Sequence, residues 1–257
     1  MNTLVFDIET VPDVEFGRRH LALEGLDDEA VAQAMFALRR ERAGHEFLSL
    51  HQHRVVAISC AMRSRDGFRL WSLGEEGAGE DEIVKRFFDG IERFSPELVS
   101  WNGSGFDLPV LHYRALRHGI AAPRYWETGD ADRDFRYNNY LSRFHWRHID
   151  LMDVLAGYQL RGAARLDEVA VLLGLPGKIG LSGDRVWEAW RAGRIGAIRD
   201  YCEADVLNTW LVFLRFERFR GRLGAAELEA EESLLRETLE KAGRPHLREF
   251  LEAWGSE

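Results

Sequence analysis

The first ten residues constrain this chain more than any other stretch. Thr3-Leu-Val-Phe-Asp7-Ile8-Glu9-Thr10 opens as a run of branched and aromatic residues, the composition of a buried strand. Two carboxylates stand inside it, two positions apart. On a strand, residues i and i+2 project from the same face, so Asp7 and Glu9 lie side by side while Ile8 points the other way. Val11-Pro12-Asp13 reads as the break that follows, which places the pair near the end of a central strand. Two carboxylates there repel each other and are costly to bury unpaired. The fold must leave them in water or supply cations.

The rest of the chain supplies the layers around that strand. His53–Met62 and Phe68–Leu73 read as strands joined at the turn Asp66-Gly67. Glu97–Trp101 reads as a fourth strand, and His148–Val154 as a short strand or turn. Helical spacing of apolar residues covers Asp27–Arg42, Asp81–Phe94, Leu108–His118, Leu166–Leu173, Val186–Ala192, Ile195–Arg220 and Ala225–Trp254. Residues 119–147 are irregular and rich in arginine and aromatics. Strands in sequence followed by strand–helix alternation predict an α/β fold, a mixed central sheet flanked by helices. The expected organisation is one domain over 1–220 with a helical insertion at 13–50. A C-terminal helical extension, 221–257, packs on that domain.

Composition excludes little and directs little. No apolar run approaches the roughly 20 residues that span a bilayer. The N-terminus shows no basic region with a cleavage site, and Cys60 and Cys202 make no disulfide framework. A cytoplasmic setting, no membrane association and a monomer are the default expectations. The net charge of −9 opposes broad polyanion binding, although placement of charge matters more than its sum. Metal cations bound by carboxylates would cancel part of it.

Two further groups carry chemistry. In Trp101-Asn102-Gly-Ser-Gly-Phe106-Asp107-Leu-Pro109 a strand runs into a Gly-rich turn, and a helix opens with proline near its first positions. Asp107 sits at that opening, where it could also be an N-cap. In Tyr201-Cys-Glu-Ala-Asp205 the tyrosine and the last aspartate are i and i+4 on a helix and share one face. Asp200 and Glu203 fall on other faces and are expected in solvent.

Taken in order, Asp7-Ile-Glu9-Thr10, then Asn102 with Phe106-Asp107, then Tyr201 with Asp205 resemble the three exonuclease motifs of the DEDDy 3′→5′ exonucleases. They look most like stand-alone bacterial exonucleases related to the proofreading domain of family B DNA polymerases. The segment Ala164-Arg-Leu-Asp-Glu-Val-Ala-Val-Leu-Leu-Gly174 is similar to the stretch before the third motif. The resemblance covers about residues 1–215 and includes no polymerase region. It implies an RNase H-like fold. It also implies two Mg²⁺ or Mn²⁺ ions on Asp7, Glu9, Asp107 and Asp205, with Tyr201 orienting the attacking water. Asn102 and Phe106 would contact the terminal nucleotide, and the backbone around Ile8 to Thr10 would hold the 3′ end. The implied partner is nucleic acid, a single-stranded DNA 3′ end. An exoribonuclease on the same fold and a non-catalytic nucleic-acid-binding module are the rival readings.

Lesser candidates remain. Lys178 follows Gly174-Leu-Pro-Gly and could touch a phosphate, or be a solvated loop lysine. His148, Asp150 and Asp153 could support the site. His51 and His53 form a short H-x-H. Arg133, Arg136, Arg143 and Arg147, interleaved with Phe135, Tyr137, Tyr140, Phe144 and Trp146, could form a rim for a single strand.

Overall fold

The computed structural model describes residues 2–255. Five strands form one sheet: β1 (Thr3–Pro12), β2 (His53–Ser64), β3 (Gly67–Ser72), β4 (Glu97–Ser100) and β5 (His148–Asp150), in the spatial order β3-β2-β1-β4-β5. β1 pairs antiparallel with β2 and parallel with β4, so the sheet is mixed. The expected α/β architecture is the observed one.

Strand parity sorts the core into two sides. Leu4, Phe6 and Ile8 of β1 pack against apolar residues of α3 (Glu80–Phe94) and α4 (Asp107–His118). Val5 faces the opposite side, toward α8 (Ile195–Phe219), with Leu207, Trp210 and Leu211. Asp7 and Glu9 share the parity of Val5, so the long helix covers the carboxylate face.

Three expectations about element ends need correction. β1 does not break at Val11 but runs on to Pro12, with a β-bulge between Glu9 and Thr10. Proline is tolerated there because β1 is an edge by that point, its pairing with β4 having ended at Val5. Asp7 and Glu9 therefore lie in the middle of β1. Its pairing to β4 ends early instead, since only Thr3–Val5 meet Glu97–Val99. Second, Asp13 caps a separate short helix, α1 (Val14–His20), ahead of α2 (Asp28–Ala43). Third, His148–Asp150 is a short strand and Leu151–Leu155 is helical, α5.

The remaining helices are α6 (Leu166–Leu172), α7 (Val186–Arg191), α9 (Ala225–Ala242) and α10 (Pro245–Trp254). Leu235, Leu239, Leu247 and Phe250 of the last two are buried in the same apolar cluster as Val5 and Trp210. Among the described residues no helix is long and apolar enough to cross a membrane.

A buried ionic joint ties Asp13, ahead of α1, to α3 and α4. Arg114 of α4 donates to Asp13 at 2.6 Å and to Glu80 at 2.7 Å, and Glu80 also accepts the Val55 N–H at 2.6 Å. Arg114 and both carboxylates are almost fully buried. Replacing Arg114 by alanine strips Asp13 of its ion-pair partner and leaves Glu80 only His118 at 2.9 Å, which costs about 3–5 kcal/mol. Chemical denaturation of Arg114→Ala should show that loss; a midpoint equal to the wild type would mean the joint is dispensable.

Candidate active site

The site is built in the notch where β1 outruns β4. Past Val5, the β4-side edge of β1 has lost its strand partner. The Ile8 N–H on that edge instead donates to Asp107 Oδ1 at 3.2 Å. The N-cap position of α4 is Phe106, and Asp107 is the first helical residue. Its carboxylate is thus aimed at the strand rather than used as an N-cap.

The turn that delivers Asp107 is held from below. Asp150, at the end of β5, accepts the Asn102 N–H and the Ser104 N–H, each at 2.9 Å. Ser100 Oγ and His148 Nε2 are 2.8 Å apart. A Cβ on Gly103 would stand 2.1 Å from Ser100 Oγ, so only glycine lets the chain pass. His148, buried and pushed down to about 4 by burial, serves this turn as a neutral ring. Of the three support candidates, His148 and Asp150 act on the turn.

α8 brings the third group. Tyr201 and Asp205 reach the same cleft as Asp7, Glu9 and Asp107, a depression of about 350 Å³ that Asn102, Phe106 and Lys178 also line. Tyr201 and Asp205 interact, which favours the Asp205 carboxylate. Cys202 lies beneath, its Sγ 3.4 Å from both the main-chain oxygen and Oδ2 of Asp7. Sequence reasoning missed Cys202, Arg165 and Asp167 here. Arg165 and Asp167 were hidden because Arg-Leu-Asp is a commonplace helix start.

Not every candidate converges. The Thr10 hydroxyl is bound to His53 Nδ1 at 2.9 Å, and Thr10 does not line the cleft. His53 Nε2 faces Leu48 O at 3.3 Å, so both ring nitrogens are used and the H-x-H holds no metal-ligating pair. Phe106 is only half-buried, packed edge-on to His53 and against Phe47, with the cleft on its other side.

The arginine–aromatic rim is corrected for Phe135, Tyr140 and Arg147, which are buried. Arg147 lies 3.8 Å above the Phe135 ring and donates to Asn138 O. Arg143 forks onto Asp153. Cation–π and ion-pair contacts fold this segment onto itself, leaving Arg133, Arg136, Tyr137, Phe144 and Trp146 exposed.

Glu203 is a second correction. It is 2% exposed, not in solvent. Ser72 Oγ donates to it at 3.0 Å, Arg244 at 2.8 Å, and His246 Nε2 lies 2.9 Å away. Burial alone would raise its pKa, but His246, Arg244 and Ser72 outweigh burial and hold the carboxyl below its ordinary value. Arg244 and His246 flank the start of α10, so the chain's end clamps the back of the helix whose front carries Tyr201 and Asp205. Asp200 pairs with His246 Nδ1 at 3.0 Å.

The electrostatics of the cleft are those of an uncompensated acid cluster. Burial, then Asp107 and Asp205, push Asp7 well above its ordinary value; burial, then Asp7, Asp205 and Asp107, do the same to Glu9. Burial brings Asp107 up to about 7 and Asp205 up to about 6. Lys178 opposes the rise at Glu9 and Asp205. Ligand atoms of Asp7, Glu9 and Cys202 fall within 4.8 Å of one another. Burial and the neighbouring carboxylates push the Cys202 thiol up, so it stays protonated. The donor set is therefore oxygen, which fits Mg²⁺ or Mn²⁺.

Linkage gives this cluster a measurable sign. A Glu9 carboxyl raised above its unfolded value of about 4.3 stabilises the fold below that pH and loses the contribution as pH rises through its folded value. Metal-free wild type then carries the full penalty in mild alkali, while Glu9→Gln carries none. With chelator present, Glu9→Gln should melt at the higher temperature in alkali, and the gap should close toward pH about 4.3. A gap independent of pH would show that Glu9 is not charged and strained in the metal-free fold.

Comparison with known proteins shows a family. A family described as predicted 3′-5′ exonuclease related to the exonuclease domain of PolB matches residues 45–254. The matched span holds Asp107, Tyr201 and Asp205 and begins after Asp7 and Glu9. A DNA polymerase of Pyrococcus glycovorans is 30% identical over 121 residues, 43% of this chain and 15% of the polymerase. The family B DNA polymerase from the hyperthermophilic archaeon Pyrobaculum calidifontis superposes with a TM-score of 0.49 at 21% identity, over 82% of this chain and 24% of that one. The chain thus spans less than a quarter of either polymerase. With most of its length inside the matched span, the chain belongs to the family of predicted 3′-5′ exonucleases related to the exonuclease domain of PolB.

Proposed function

We propose that this protein is a divalent-metal-dependent 3′→5′ exonuclease acting on single-stranded DNA. The observation that carries the reading is convergence. Asp7, Glu9, Asp107, Tyr201 and Asp205, from three separate parts of the chain, line one cleft. The preference for DNA rests on the likeness to a DNA polymerase.

Asp7, Glu9, Asp107 and Asp205 would hold the cations. Two divalent ions, when bound, acidify a water and neutralise charge on the departing 3′ oxygen. The residues themselves do the rest. Burial and the carboxylates Asp205, Glu9 and Asp7 push the Tyr201 phenol above its ordinary value, so it stays protonated and acts as a hydrogen-bonding guide for the attacking water. Phe106 offers a ring face to the terminal base, and such stacking tolerates any sequence. Asn102, its main-chain N–H held by Asp150, lines the cleft with Phe106. Lys178, exposed at the mouth of the cleft, meets the phosphate as a point charge. The C-terminal helices belong, in this reading, to the same domain and hold α8 in place.

A time course on 5′-labelled single-stranded DNA with Mg²⁺, Mn²⁺ or chelator tests the reading. It should give a descending ladder with either metal and no cleavage with chelator. Asp205→Ala should nearly abolish turnover with the fold intact. Tyr201→Phe should lower kcat about 10²-fold through a misplaced water, with metal affinity little changed. An RNA of the same sequence, degraded faster than DNA, would move the assignment to an exoribonuclease. Absence of any metal-dependent cleavage would leave the binding module.

A further inference from the structure

A buried asparagine just beyond Asp205 has no part in the chemistry above. Asn208 is 1% exposed and lies in a stretch of α8, Val206 to Leu214, that is buried throughout. An amide side chain there gives up its water, so each of its groups needs a partner. Each finds one. Oδ1 accepts the Gly177 N–H at 3.0 Å, while Nδ2 donates to Gly177 O at 2.7 Å and to Ala204 O at 3.1 Å. Bonding both the N–H and the C=O of one residue fixes the direction of that residue as well as its distance.

Gly177 belongs to the segment between α6 and α7. Gly174, Gly177 and Gly180 there all have positive φ, +65°, +66° and +74°, so the backbone has little stiffness of its own. Leu175 and Ile179 rest on the apolar cluster of α8 on either side of Gly177. Apolar contact is non-directional. It sets how close the segment lies to α8 and leaves open which way the chain between those two residues turns. The residue after Gly177 is Lys178, exposed, and a member of the carboxylate cleft.

We propose that Asn208 is a positioning residue: its hold on Gly177 turns Lys178 into the cleft and keeps it in register with Asp205, which the same helix carries. The proposal rests on the exonuclease reading, in which Lys178 meets the phosphate. An amide that merely satisfied the segment's backbone would matter equally with the lysine present or absent, and that difference is measurable.

The test is a double-mutant cycle on kcat/KM for a 5′-labelled single-stranded twelve-mer with Mg²⁺. Lys178→Ala should lower kcat/KM about 10- to 100-fold, the worth of a hydrogen bond to a charged group. Asn208→Ala should lower it by a similar factor, and should cost nothing more when added to Lys178→Ala. Losses that multiply overturn the proposal, because the asparagine then acts without the lysine. Either single variant as active as the wild type overturns it too. Where Asn208→Ala does not fold, Gly177→Ala takes its place. Its methyl meets neighbours no closer than 3.6 Å, and the positive φ strains alanine enough to turn the chain.

A readout free of turnover uses the chain's three lysines, Lys85, Lys178 and Lys241. After reductive ¹³C-methylation, Mn²⁺ in the cleft should broaden the Lys178 signal strongly in wild type and several-fold less in Asn208→Ala. Lys85 and Lys241 should be alike in both. Equal broadening of Lys178 in the two proteins overturns the proposal. If wild type cleaves no strand, the exonuclease reading has failed, and the Mn²⁺ measurement decides the role of Asn208 alone.

Discussion

The site depends on one hydrogen bond made possible by a missing one. β4 pairs with β1 over three residues and then turns away, leaving the Ile8 amide without a strand partner at the centre of the sheet. A buried unpaired N–H is expensive. Asp107 supplies the acceptor, and in doing so a carboxylate from another element is drawn alongside Asp7 and Glu9. Backbone economy and chemistry point to the same residue.

The concentration of acid that results is costly in the free protein. Burial raises all four carboxylates, their mutual repulsion adds to it at Asp7 and Glu9, and Lys178 offsets only part of this at Glu9 and Asp205. The structure holds the cluster by stiffening what surrounds it. Asp150, Ser100, His148 and Gly103 fix the turn before Asp107. Ser72, Arg244 and His246 fix α8 from behind through Glu203. Groups preorganised in this way need no rearrangement when cations and a phosphate arrive.

Much of this was legible in the residues, for local reasons. Period-2 placement put Asp7 and Glu9 on one face, and i,i+4 spacing put Tyr201 and Asp205 on another. The strands and helices were readable because each buries a continuous apolar stripe. What was not legible was the partner of each polar group. Glu203 reads as a surface residue because Arg244 and His246, which bury it, lie some forty positions away. Arg147 and Phe135 read as a nucleic-acid rim because the same pair serves either to bind bases or to pack on each other. The backbone from Ile8 to Thr10 reads as a hold for the 3′ end, yet Ile8 lines the cleft and Thr10 does not.

The sequence by itself determined the chemistry on offer: hard oxygen ligands, a tyrosine one turn before the last of them, and a strand that forces two carboxylates together. These follow from side-chain type and backbone period, which are properties of a few consecutive residues. Only the tertiary structure decided that the three groups share a cleft and that the clamp on α8 comes from the chain's end. Those are contacts across 41 to 195 positions, set by where β4 stops pairing and how α8 lies across the sheet.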